Sequence, residues 1–245
     1  RPWLSLSGAI AFAFSSYFFI ILEAGHITKA HAIAYMAPVL AGIVLTYRRK
    51  YLLGAFLTAL FLGLEIRANH PQITYYLLLI VLVFGISELI FSLKDKRFLC
   101  FVKSTAILIL PVLLAVLLNI QSLWGTWQYS KYTIRSKSEL SFDKKNQTSG
   151  LDKDYITAWS YGIPETLTLF IPNIYGGSSG GGLDESSHVY NTLKNNNIPN
   201  ASAISRQLPL YWGPQPFTSG PVYVGAIIVF LFVLALFVVK SRFKW

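Results

Sequence analysis

The sequence predicts an all-α polytopic membrane protein: six transmembrane helices plus one large extracytoplasmic loop or small domain. Three observations predict it. Hydrophobic residues make up 53% of the 245 and charged residues only 13%, about half the roughly 25% of a soluble domain. The apolar residues gather into unbroken runs near the roughly 20 residues that cross a hydrocarbon core. Much of the basic charge sits in short clusters at the ends of those runs, where the positive-inside rule places it.

In chain order, residues 3–22 form the first run, broken only by Ser5, Ser7, Ser15 and Ser16, whose hydroxyls can bond back to backbone or to a neighbouring helix. Residues 32–47 and 51–64 are two shorter runs joined by Arg48-Arg-Lys50. Residues 73–93 are a full-length fourth run, closed by Lys94-Asp-Lys-Arg97, and residues 98–120 a fifth, with Pro111 expected to kink it. Residues 121–220 change character, being rich in Asn, Ser, Gly, Lys and Tyr, and read as a water-exposed domain. Residues 221–245 hold a sixth run and a basic end. The division is therefore 1–120, 121–220 and 221–245. Alternate counting puts the dense basic clusters on one side, the cytoplasm of a cytoplasmic membrane, and the 121–220 loop outside.

Several classes are excluded or disfavoured. The net charge of +10 lies between apolar runs rather than on a solvated face, which argues against nucleic acid. The one cysteine, Cys100, rules out a disulfide within the chain and any Cys-rich zinc site. The chain starts at Arg1 and ends at Trp245 directly after a basic cluster, and reads as an internal piece of a longer protein. The glycine run of residues 176–182 lacks the Gly-Lys-Ser/Thr ending of a phosphate loop and reads as a flexible loop. Asn146-Gln-Thr148 matches a glycosylation acceptor by chance.

Two polar stretches interrupt the apolar pattern: Glu23-Ala-Gly-His-Ile-Thr-Lys-Ala-His31 and Glu65-Ile-Arg-Ala-Asn-His-Pro-Gln72. His31 precedes Arg48 by 17 residues and Arg67 follows Lys50 by 17, so the two stretches should reach the same height on neighbouring helices. Together they offer cations for an anionic head group, Lys29 and Arg67, beside carboxylates and imidazoles that can manage a proton: Glu23, His26, His31 and His70. Asn69 adds a polar contact. The i, i+3 spacing of Glu23 and His26 suits half of a carboxylate-bridged metal pair, but no second copy accompanies it, so a divalent cation is only weakly signalled. The plainer alternative is that these residues anchor helix ends at lipid head groups. The loop opens with Trp124, Trp127, Tyr129 and Tyr132 interleaved with Lys131, Arg135 and Lys137. Aromatic faces beside cations suit a sugar and a phosphate, and equally an interfacial belt.

Several segments resemble the bacterial YfhO family of multi-spanning membrane proteins: Ala11-Phe-Ala-Phe-Ser-Ser-Tyr17, Glu23-Ala-Gly-His26 with Lys29-Ala-His31, Ala68-Asn-His-Pro-Gln-Ile-Thr-Tyr75, Trp159-Ser-Tyr-Gly-Ile163 and Ile171-Pro-Asn173. The resemblance implies kinship with GT-C glycosyltransferases, which take a sugar from a polyprenyl-phosphate carrier on the outer face. It implies a lipid-linked sugar as donor and an envelope glycopolymer or glycolipid as acceptor. Glu23, His26 and His31 are then the candidate catalytic residues. Lys29 and Arg67 would hold the leaving phosphate, while Asn69, His70, Lys131, Tyr132 and Arg135 complete the substrate-binding set. The usual catalytic acid of that superfamily lies in a loop upstream of this chain's start, so this piece is expected to lack it. A lipid transporter or flippase, and a non-catalytic envelope assembly protein, are the competing classes. A transporter would place its ionisable groups near the midplane in repeated halves, which this sequence does not show.

Overall fold

A computed structural model describes residues 2–132 and 157–240. The described residues are helical and contain no strand, only an isolated antiparallel bridge between Gly176 and Tyr211. Four segments are long and apolar enough to cross a membrane: Pro2–Glu23, Ile27–Tyr47, Pro71–Lys94 and Phe98–Leu118. The chain divides into two compact units, residues 26–151 and residues 1–25 with 152–245. Leu52, Leu99 and Leu118 are each more than 80% exposed, and they lie among many other exposed apolar side chains on these helices, as a lipid solvent allows. The chain is therefore a membrane-embedded, multi-pass helical protein.

The first run is not one continuous helix. It forms α1 (Pro2–Ala13) and α2 (Ser16–Glu23), with Ser15 in an extended conformation between them. The break lets Ser16 donate its hydroxyl to the Tyr223 carbonyl and accept the Tyr223 N–H at 3.0 Å, within the same unit. The serine pattern of the sequence thus marks a docking point as well as a tolerated polar face.

The unit of residues 26–151 holds α3 (Ile27–Tyr47), α4 (Tyr51–Arg67), α5 (Pro71–Lys94), α6 (Phe98–Leu118) and α7 (Ile120–Ser130). Helix α3 starts inside the first polar stretch, which gives it spanning length despite a short apolar run. Helix α4 has 17 residues, about 25 Å at 1.5 Å per residue, and falls short of the other spans. It packs on α3 and α6. The α3–α4 seam is set by Gly42-x-x-x-Thr46 facing Gly54-x-x-x-Thr58. A β-carbon on Gly42 would stand 2.6 Å from Thr58 Oγ1 and 2.9 Å from the Gly54 carbonyl. Thr46 and Thr58 return their hydroxyls to the Gly42 and Gly54 carbonyls at 3.0 and 2.8 Å. Small residues at four-residue spacing let two backbones approach where apolar burial gives little drive, because lipid is as apolar as the partner helix. Helix α6 runs through Pro111 without ending. Asn119 closes it, donating to the Gly63 carbonyl of α4 at 3.0 Å and to Ala115 at 2.8 Å.

The other unit continues with a short 3-10 turn (Pro164–Leu169), α8 (His188–Asn195), α9 (Ala201–Gln207) and α10 (Ala226–Val238). One expectation is corrected here, and the sixth run is not among the four candidate spans of the described residues. The run at 221–239 yields a helix of only 13 residues, about 20 Å against a core of about 30 Å. Its first residues are extended, with the Val224 and Gly225 N–H groups bonded to the Leu169 carbonyl at 3.0 and 3.3 Å. The correction concerns the glycine run, which is not a loose loop. Gly177 donates to Leu210 at 3.0 Å, Leu210 to Ser178 at 3.1 Å, and Gly182 to Leu208 at 3.2 Å. Gly176 has φ +81° and a β-carbon there would fall 1.7 Å from the Leu210 carbonyl, so glycine is required by close approach.

Candidate functional site

Within the unit of residues 26–151, α5 stands away from the tight α3–α4–α6 packing and leaves a crevice. One part, about 450 Å³, is walled by Val39, Ile43, Leu77, Val81 and Val116, and its polar rim is Asn69, His70 and Thr74. A second part, about 510 Å³, lies between Tyr47, Phe84, Leu89, Phe101 and Leu108. Ile43, Thr58, Val81 and Val112 line both, so the two adjoin along the length of the helices.

The rim is built by the turn from α4 to α5. Asn69 takes the left-handed conformation at φ +54°, which asparagine tolerates, and Pro71 starts α5 at a position where its missing N–H costs nothing. Behind the rim, Glu65 is fully buried on α4. Its two carboxylate oxygens accept the Thr74 hydroxyl at 3.0 and 3.2 Å, so a buried carboxylate fixes a hydroxyl that lines the crevice. Helix α7 crosses near the same end: Leu123 lines the crevice and Thr126 donates to Asn69 Oδ1 at 3.0 Å. On α7 the Trp124 and Trp127 rings lie 5.0 Å apart, and the Lys131 ammonium sits 3.7 Å from the Trp127 ring centroid.

The residues expected from sequence divide accordingly. Asn69 and His70 reach the crevice, whereas His26, Lys29, His31 and Arg67 are not part of its wall. His26, His31 and Arg67 are exposed at the same end of the α3–α4 hairpin. The Gly42–Thr58 register carries His31 to about the level of Arg67, as the equal spacings require. Glu23 is exposed and belongs to the other unit. Tyr132 is exposed beside Lys131, and Arg135 lies outside the described residues, as does the Asn146 motif. Among the described residues no three His, Cys, Asp or Glu side chains group as a metal ion requires.

Two parts of the structure go beyond the sequence reading. Thr74 is one, a residue that looks like any span-entry threonine. The other is Glu165 in the second unit, 1% exposed. It accepts the Tyr211 hydroxyl at 2.7 Å and the Gly162 N–H at 3.1 Å, and Gln215 N–H donates to the Tyr211 oxygen at 3.1 Å. Burial and the hydrogen bond to Glu165 push the Tyr211 phenol up to about 12. Burial likewise raises the Tyr161 phenol, against the bond from the Val222 N–H.

Fold and site together define a class: a multi-pass helical membrane protein with a mostly apolar crevice between its helices. No protein family, curated protein or solved structure matches the chain.

Proposed function

We propose that the chain holds a polyprenyl-phosphate-linked sugar for a membrane glycosyltransferase of GT-C type, acting toward an envelope glycopolymer or glycolipid on the outer face. The observation that carries the proposal is the crevice, whose walls are mostly apolar over two adjoining parts, with Asn69, His70 and Thr74 at one end and the hydroxyls of Thr58, Tyr47 and Thr105 further along it. A long hydrocarbon tail suits such walls, and an anionic head group suits a rim with Asn69 and His70, near Arg67. Lys29 and Arg67 supply charge for the leaving phosphate, and His26 and His31 are the groups of the same unit offered for proton transfer. The aromatic and cationic face of α7, Trp124, Trp127 and Lys131, gives a stacking surface for a sugar ring.

The crevice also weighs against the flippase reading. A charged head group passing along it would lose its hydration against Val39, Leu77, Val81 and Leu108, with only the neutral hydroxyls of Thr58, Tyr47 and Thr105 along the way. Sugar transfer from a polyprenyl-phosphate donor, measured in membranes bearing Lys29→Ala, His31→Ala or Arg67→Ala, tests the proposal. Loss in Lys29→Ala and Arg67→Ala is expected. Full activity in all three variants removes these residues from any active site.

A further inference from the structure

The unit of residues 26–151 makes the same tight turn three times. Arg48-Arg49-Lys50 joins α3 to α4, Ala68-Asn69-His70 joins α4 to α5, and Asp95-Lys96-Arg97 joins α5 to α6. In each the middle residue is left-handed, with φ +65° at Arg49, +54° at Asn69 and +55° at Lys96. The two basic turns are closed by the same long backbone bond, Lys50 N–H to Leu45 at 2.9 Å and Arg97 N–H to Ser92 at 2.7 Å. Glycine or asparagine is the ordinary occupant of this position, because a longer side chain there strains the backbone. At one end of the unit the rule is kept by Asn69. At the other it is broken twice, each time by a cation.

These two turns stand together. Arg49 Nη2 donates to Cys100 Sγ of α6 at 3.3 Å, Tyr47 and Thr105 share a 2.8 Å hydroxyl bond, and the Lys103 ammonium lies 5.2 Å from the Tyr51 ring centroid. Residues 48–50 and 94–97 bring six cations, Arg48, Arg49, Lys50, Lys94, Lys96 and Arg97, against the single carboxylate of Asp95, and all seven are exposed. Orienting the chain in the membrane needs cations only somewhere near the span ends. Arg48, Lys50, Lys94 and Arg97 already meet that need without a positive φ. Orientation therefore does not account for cations at the two left-handed positions, where glycine fits better, and backbone strain kept in place points to function.

We propose that this end of the unit is a binding site for the phosphodiester head groups of anionic phospholipids, with Arg49 and Lys96 as its anchoring cations. The level is that of a membrane surface, since both turns lie at the ends of spanning helices, and guanidinium and ammonium groups are the donors phosphate takes there.

The test separates binding from folding because glycine should relieve the turn while removing the ligand contact. The full chain is placed in phosphatidylcholine nanodiscs with and without phosphatidylglycerol, retained lipid is counted by native mass spectrometry, and thermal unfolding is followed. Arg49→Gly and Lys96→Gly should each lower phosphatidylglycerol retention about fivefold, the change that about 1 kcal/mol per surface cation converts to. In pure phosphatidylcholine both should unfold at the parent temperature or above it. Unchanged retention in the double variant overturns the proposal. So does a lower unfolding temperature in phosphatidylcholine, which would make the cations part of the turn's own stability. Displacement of the lipid by inorganic phosphate at equal concentration would overturn the assignment to a membrane ligand.

Discussion

At the scale of single residues, two buried carboxylates decide how each unit holds its polar groups. Glu65 depends on Thr74, and Thr74→Val keeps the shape while deleting the donor. Leaving that carboxylate short of a partner should cost roughly 1–3 kcal/mol, read as a lower unfolding temperature in detergent, with Thr74→Ser close to the parent. Glu165 depends on Tyr211. The folded phenol sits near 12 against an ordinary value of 10, so the fold favours the neutral, donating form. Its stabilisation is fully present below about pH 10 and disappears as pH climbs through the folded value. Tyr211→Phe should therefore lose roughly 1–3 kcal/mol at neutral pH, and the gap from the parent should close in alkaline unfolding above pH 12. The sequence shows Glu65 as one carboxylate of a polar stretch, and its burial was readable from the face it shares with Gly54 and Thr58 at helical spacing. Glu165 carries no such periodic signal. Its partner is 46 residues away, and only a fold brings them together.

At the scale of elements, the α3–α4 seam rests on glycines that the hydropathy pattern passes over. The apolar runs locate these helices, and equal spacing sets the polar stretches level, but a run of apolar letters does not say which face touches a neighbour. Glycine position does. Gly42→Ala puts a methyl within 2.6 Å of Thr58 Oγ1 and 2.9 Å of a carbonyl on the facing helix, so the helices must separate. Overpacking of that kind costs about 1–3 kcal/mol. Gly63→Ala on the same α4 has nothing within 4 Å and should gain up to about 1 kcal/mol from helix propensity. Opposite shifts in unfolding temperature from the two substitutions would verify the seam, and equal shifts would refute it. The same reasoning explains why the sixth apolar run forms only a 13-residue helix. Residues 221–225 are apolar enough for a span, yet they are held extended by Leu169 and Ser16, contacts that local sequence does not encode.

At the scale of the whole molecule, the crevice makes chain length the variable to test. Its two parts meet at Ile43, Thr58, Val81 and Val112, and the distance along α5 from His70 to Leu89 is about 28 Å at 1.5 Å per residue. A tail that follows the whole crevice must pass the junction, while a short tail ends in the rim-side part. Val81→Trp or Val112→Trp fills the junction and leaves Asn69, His70 and Thr74 in place. Binding of a long polyprenyl phosphate should then fall tenfold or so, from roughly 1.4 kcal/mol of lost apolar burial, while a short-chain prenyl phosphate keeps its affinity. Arg67→Ala should weaken both lipids alike, because phosphate binding does not depend on the tail. Equal loss of long and short chains in the tryptophan variants would mean that the crevice is a packing defect between helices. In that case α5 would serve the fold alone, and the rim residues would have to act on a ligand held by head group only.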